Sequence, residues 1–277
     1  MKAFQVNLAK EYGLSGGLLD CMLAECPLDL DLGEWKRPAV IVVPGGGYGM
    51  VSKREGEPVA FPFLASGFHS FILQYTIGGG NGISYPEQLL ELAAAVDYVK
   101  KNADEWRLNK DEIFVVGFSA GGHLTGNLCV EYATVAEKYG KPLDCKPTAV
   151  GLCYPVISKI HGHQGSYTNL LYGYTDEAKE ELLKTLNLDE AVTPATPPAF
   201  LWTTAQDTCV PPDNALRYAM ALDKNGVEYE LHVYPRGDHG KSTGSLEVNG
   251  EADFLKRIVR WQNDCISFFR MYISEKF

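Results

Sequence analysis

From Val115 to Leu124 the sequence reads V-V-G-F-S-A-G-G-H-L, with Gly117, Ser119 and Gly121 in the spacing G-x-S-x-G. A β-branched run precedes it and a stretch of small residues follows. In that setting flanking glycines permit the tight strand-to-helix reversal that lifts a serine hydroxyl above a sheet edge. A hydroxyl is a weak nucleophile until a base takes its proton and a third group orients the base. Of six histidines, His69 and His232 lie in or beside apolar strand-like runs, His123 falls in the helix after Ser119, and His161 and His163 sit in a long polar segment. Only His239, in P-R-G-D-H-G, stands on a glycine-bracketed loop after a strand, the end at which ligands of open α/β sheets gather. Asp207, in T-T-A-Q-D-T-C-V-P-P, follows an earlier strand in the same way. It is the expected orienting carboxylate, with Asp213 and Asp189 as alternatives, while Asp238 reads as a turn residue. Ser119, Asp207 and His239 together would perform acyl transfer through a covalent serine intermediate.

Such chemistry needs donors for the negative oxygen that forms when the serine attacks a carbonyl, and one such donor lowers the barrier by about 2.7 to 4 kcal/mol. The amide of Ala120, the residue after the nucleophile, is the first candidate. The second comes from P-G-G-G-Y-G at positions 44 to 49, directly after the apolar run A-V-I-V-V. Three glycines there let backbone approach closely, and Gly46 and Gly47 are assigned to the site, although the sequence leaves open which two of Gly45, Gly46 and Gly47 aim inward. Neither this loop nor G-G-G-N-G at 78 to 82 fits G-x-x-x-x-G-K-[ST] or G-x-G-x-x-G, so nucleotide binding is disfavoured. Tyr48, Cys209 and Tyr167 are expected beside the substrate pocket. Glu55 and Glu57, in E-G-E-P, are read as anchoring the glycine loop or opening a helix, with sugar contact as the alternative.

The elements that must position these residues alternate between short β-type runs and amphipathic helices, the pattern of a largely parallel sheet flanked by helices. Strands are expected from Ala39, His69, Ile113, Ala149, Ala199 and Tyr229. Leu89, Leu92, Ala93, Val96 and Val99 recur at helical spacing after Pro86. Further helices are expected over Ala120 to Tyr139, Asn214 to Asn225 and Asp253 to Phe269. L-D-L-D-L at Leu28 to Leu32 alternates as an antiparallel edge strand would. From Ser158 to Pro198 the rhythm breaks, in a segment too long for a connection and too short for a domain. The expectation is therefore one domain over 1–277, with 158–198 as a small helical insertion capping the site.

The chain has 277 residues, 45% hydrophobic and 22% charged, as a soluble globular protein with a sizeable core would. A net charge of −10 disfavours nucleic acid and anionic membrane surfaces as partners. The first residues lack the apolar stretch of an export signal, which makes the cytoplasm the expected compartment. Seven cysteines without a C-x-x-C pair read as reduced thiols, and H-G-H at 161 to 163 is too little for a metal site. No metal or organic cofactor is required by the chemistry.

The order Ser119, Asp207, His239 and the segments V-V-P-G-G-G-Y-G-M-V-S-K-R-E-G-E-P-V-A, F-I-L-Q-Y, G-F-S-A-G-G-H-L, A-Q-D-T-C-V-P-P and G-D-H-G resemble α/β-hydrolases of the esterase and lipase group. More narrowly, the chain is similar to bacterial acetyl-xylan-esterase-like and feruloyl-esterase-like hydrolases, from about Pro38 to the end. The resemblance implies the α/β-hydrolase fold, those three residues as the catalytic triad, and a small-molecule substrate with a short acyl group on an alcohol such as a sugar. Pro44 departs from the H-G-G-G form by removing a side-chain donor, which separates the chain from hormone-sensitive-lipase types, and no large apolar lid is visible. Two other functions are carried forward: an amide or peptide hydrolase of the arylformamidase or prolyl-oligopeptidase kind, and a hydrolase-like binding protein without chemistry. The oligomeric state, a homo-oligomer included, is open.

Overall fold

The computed structural model describes residues 1–25, 35–250 and 255–274. Eight strands form one sheet among these residues: β1 (Lys2–Asn7), β2 (Leu18–Leu23), β3 (Arg37–Val43), β4 (His69–Gln74), β5 (Leu108–Phe118), β6 (Ala149–Cys153), β7 (Ala199–Thr204) and β8 (Tyr229–Tyr234). Their order is β1-β2-β4-β3-β5-β6-β7-β8. The pairs β1·β2 and β2·β4 are antiparallel and the remaining five pairs are parallel.

Parallel strands are covered on both faces and so read as nearly continuous apolar runs, and β3, β5, β6 and β7 follow that rule. Successive side chains take opposite faces. Ile41, Val43 and Val115 enter one core with the helices Glu87–Lys101, Ala120–Glu131 and Asp213–Lys224. Val40, Val42, Phe114, Val116 and Phe118 enter the other, against Glu57–Ala65 and Trp261–Arg270. In the second core Phe114 stacks on Phe269 at 4.5 Å between ring centroids, and Trp202 on Trp261 at 5.5 Å.

Some elements differ from the sequence expectation. The alternating segment Leu28 to Leu32 lies outside the described residues, and the antiparallel edge is built by β1 and β2. Ala120 to Tyr139 divides into Ala120–Glu131 and Val135–Tyr139, because the Thr134 amide and hydroxyl both turn back to the Glu131 carbonyl, at 2.9 and 3.1 Å. The last expected helix divides into Leu255–Ile258 and Trp261–Arg270. E-G-E-P does open a helix, Glu57–Ala65, with Pro58 in its first turn, where a missing amide hydrogen costs nothing. Between β6 and β7 run three helices, Gln164–Leu170, Asp176–Leu186 and Leu188–Ala191. No helix among the described residues is long and apolar enough to cross a membrane.

Candidate active site

Ser119 ends β5 with φ 51° and ψ −115°, a conformation that side-chain-bearing residues rarely adopt. The packing around it explains the neighbouring glycines. A Cβ on Gly117 would lie 2.3 Å from the Gly121 carbonyl oxygen, and one on Gly121 would lie 2.2 and 2.4 Å from the carbonyl oxygens of Val43 and Pro44. The helix that begins at Ala120 therefore presses on β5 and on the end of β3, and the serine is forced into the turn between them. As the first residue of that helix, Ala120 has an amide with no intrahelical acceptor.

His239 and Asp207 reach Ser119 from the ends of β8 and β7. His239 Nε2 stands 2.8 Å from Ser119 Oγ, and His239 Nδ1 stands 2.6 Å from Asp207 Oδ2. The other carboxylate oxygen, Oδ1, accepts the amides of Cys209 at 3.0 Å and Val210 at 2.8 Å. Asp207 thus only accepts, which puts the imidazole proton on Nδ1 and leaves Nε2 to receive the serine proton. The Asp207 side chain is 1% exposed and that of His239 20%. The histidine loop is fastened at several points: the Gly237 carbonyl accepts the Thr204 hydroxyl, Gly237 N–H donates to Gln206, and the Trp261 indole donates to the Ser242 carbonyl. Asp238 points elsewhere, to Lys241. Asp213 pairs with Arg217 and His161, and Asp189 faces Arg217 at 3.9 Å, so neither alternative carboxylate meets His239.

The glycine loop lies against the same serine. A Cβ on Gly45 would stand 2.9 Å from Ser119 Cβ and 2.7 Å from the Phe118 carbonyl oxygen. Gly45 N–H donates to Glu55 Oε2 at 2.7 Å, so its amide is occupied. Gly46, at φ 127°, turns its carbonyl to the amides of Gly49 and Met50. Gly47, at φ 61°, gives its carbonyl to Asn169 Nδ2 at 2.9 Å. Among the described residues the amides of Gly46 and Gly47 have no protein acceptor. Above the loop, His163 Cε1 is 3.8 Å from where a Gly47 Cβ would be, and its Nδ1 meets Ser166 Oγ at 3.1 Å.

Two residues expected beside the pocket are elsewhere. Tyr48 is buried with its hydroxyl 2.9 Å from His123 Nδ1 and its ring edge-on to Tyr75 and His123. Tyr167 is buried too, its hydroxyl donating to the Ile157 carbonyl and its ring edge-on to His123. Both are drawn inward by His123, whose Nε2 donates to the Leu186 carbonyl at 3.1 Å while Nδ1 accepts from Tyr48. Burial lowers that imidazole to about 4, which keeps it neutral as this bonding requires. Cys209 is exposed beside Asp207, and burial together with that carboxylate pushes its thiol up. Glu55 is buried, with its carboxylate on Gly45 and Tyr154, so it anchors the loop and offers no surface to a sugar. The sequence reading passed over His123, Tyr154 and Asn169. Only His123 had a signal, its place inside G-F-S-A-G-G-H.

The BD-FAE family model matches residues 31–222, which takes in the glycine loop, Ser119 and Asp207 and ends before His239. Endo-1,4-beta-xylanase B of Butyrivibrio fibrisolvens is 32% identical over 255 residues, covering 89% of this chain and 39% of that protein. An acetylxylan esterase of Xylanibacter ruminicola is 30% identical over 251 residues, covering 88% of this chain and 47% of that protein. The chain therefore spans less than half the length of either relative. Among solved structures, the acetyl ester-xyloside bifunctional hydrolase of Caldicellulosiruptor lactoaceticus superposes with a TM-score of 0.81 at 30% identity, over 97% of this chain and 96% of that one. The sheet order, the helices on both faces and these likenesses are those of an α/β-hydrolase, and the chain belongs to the BD-FAE family.

Proposed function

We propose that the protein is a serine carboxylesterase that removes short acyl groups, acetyl foremost, from carbohydrate esters. The observation that carries this reading is the chain of contacts from Ser119 through His239 to Asp207, 2.8 and 2.6 Å, beside a glycine loop in which the Gly46 and Gly47 amides meet no protein acceptor among the described residues. Ser119 Oγ attacks the acyl carbonyl as His239 Nε2 takes its proton, and Asp207 stabilises the imidazolium that results. The carbonyl oxygen, now negative, is received by the amides of Ala120, Gly46 and Gly47. As the tetrahedral species collapses, Nε2 returns the proton to the leaving alcohol. Water then enters, loses a proton to His239 and releases the acid from Ser119.

The segment 158–198 serves in this reading as a cap, with His163 and Asn169 at the glycine loop as its polar contribution to the alcohol side. The likeness to a protein named acetylxylan esterase supports a sugar as that alcohol. The test is a panel of acetylated xylo-oligosaccharides and nitrophenyl esters of increasing chain length, on the natural protein and Ser119→Ala. Acetyl esters should be preferred, and Ser119→Ala should lose about 10⁴- to 10⁶-fold in kcat together with covalent labelling by an organophosphonate. Undiminished labelling of the variant would refute the assignment, and cleavage of anilides in preference to matched esters would favour an amidase.

A further inference from the structure

Glu55 lies twelve positions past Val43, and its carboxylate touches the glycine loop directly and reaches the histidine loop through Tyr154. Oε2 accepts the Gly45 amide at 2.7 Å, and Oε1 accepts the Tyr154 hydroxyl at 2.6 Å. The same hydroxyl accepts the amide of Ser242, three residues past His239, at 3.0 Å, so its own proton must go to Glu55. The Tyr154 ring stands edge-on to the His239 imidazole, 5.0 Å between centroids. Next along the chain, the Arg54 carbonyl accepts the Ser242 hydroxyl at 2.6 Å, and the Arg54 guanidinium donates to Gly240 O, Val248 O and Asn249 Oδ1.

We propose that Glu55 is a positioning residue for the reaction: one buried carboxylate locks the glycine loop and the histidine loop in a fixed relation, through Gly45 on one side and Tyr154 on the other. Its effect on turnover rests on the esterase reading above. Both carboxylate oxygens are engaged, one by an amide and one by a hydroxyl. Burial raises the Glu55 carboxyl above its ordinary value, and the Tyr154 hydroxyl, the Gly45 amide, His239 and Arg54 offset part of that rise. The groups facing this pair are Asp207 on the imidazole and Arg54, Tyr75, Cys153 and Tyr154 around the carboxylate. Burial raises Tyr75, Cys153 and Tyr154 far enough to keep them neutral across the working range.

Glu55→Gln weakens both contacts, because a neutral amide keeps a single, uncharged acceptor oxygen for one partner and turns an N–H donor toward the other. The expected result is a kcat lower by about tenfold or more, with KM changed by less than about threefold, since the lost alignment matters chiefly in the transition state. A residue that only held the fold together would lower stability without this split between kcat and KM. Amide hydrogen exchange read by mass spectrometry gives an arm independent of turnover: Glu55→Gln should speed exchange over both 45–50 and 237–242. Tyr154→Phe, which keeps the ring on His239, should speed it over 237–242 alone and lower kcat, and it supplies the readout should Glu55→Gln not fold. Exchange altered in neither loop, or a Glu55→Gln kcat within about twofold of the natural protein, overturns the proposal. A natural protein that cleaves no ester, with exchange coupled across both loops, would sink the esterase reading and uphold the clamp.

Discussion

The ends of β3 and β5 and the insertion at 158–198 meet across the glycine loop, yet they are made on opposite plans. Around Ser119 the backbone is crowded to the point where Gly45, Gly46, Gly117 and Gly121 each have a carbonyl oxygen within 2.7 Å of where a Cβ would sit. In the segment 158–198, the helix Asp176–Leu186 buries only Leu186; Tyr167, Leu170, Leu171 and Leu188 join the core, and separate side-chain bonds tie Asn169 to Gly47 O and Tyr174 to Tyr85 O. The first region fixes atoms by leaving no room for any other arrangement. The second is attached by groups that can be exchanged one at a time. On the proposed function, reaction geometry and substrate preference are thereby entrusted to different kinds of interaction.

Three substitutions and one control test that contrast, in descending order of effect. Asp207→Asn keeps an oxygen for the amides of Cys209 and Val210 but turns a donor toward His239 Nδ1, forcing the wrong tautomer. Steady-state assay should show kcat lower by about 10⁴-fold with the fold intact by circular dichroism. Gly46→Ala places a methyl 2.2 Å from the Met50 carbonyl oxygen in a loop at φ 127°, and the displaced amide should lower kcat by about 10²-fold. The matched control is Gly82→Ala, at φ 73° with open space around it, which should cost about 1 kcal/mol in denaturant unfolding and leave kcat alone. Asn169→Ala removes the bond from the insertion to Gly47. About 1 kcal/mol of stability should go with it, and KM for acetylated sugars should rise more than KM for nitrophenyl acetate. A kcat loss for Asn169→Ala as large as that for Gly46→Ala would erase the distinction between the two regions.

The same contrast accounts for what could be read from the amino-acid order. The strands β3, β4, β6 and β7 and the second half of β5 announce themselves through apolar runs, because they are covered by other elements. β1 does not, since its pattern at the sheet edge buries only Val6. Ser119, Asp207 and His239 were legible as neighbours because each follows a strand end and is bracketed by residues that only a tight turn demands. The pairing of Glu55 with Tyr154 spans 99 positions and leaves no local trace. Tyr48 was placed wrongly for a physical reason: a tyrosine among glycines looks exposed, but its left-handed turn, φ 57°, and the waiting His123 nitrogen bring the ring into the core. Tyr167 was misjudged in the same way, through a partner in a helix more than forty residues away.

In the β3·β5 ladder Val43 lies opposite Gly117, so the loop bearing Gly46 and the turn bearing Ser119 depart from adjacent rungs. Neighbouring strands run about 4.8 Å apart whatever their side chains, which, in the proposed reaction, makes the span from nucleophile to anion-binding amides a property of the sheet's own lattice constant. On that reading a single-residue slip between those two strands would disable every substrate alike.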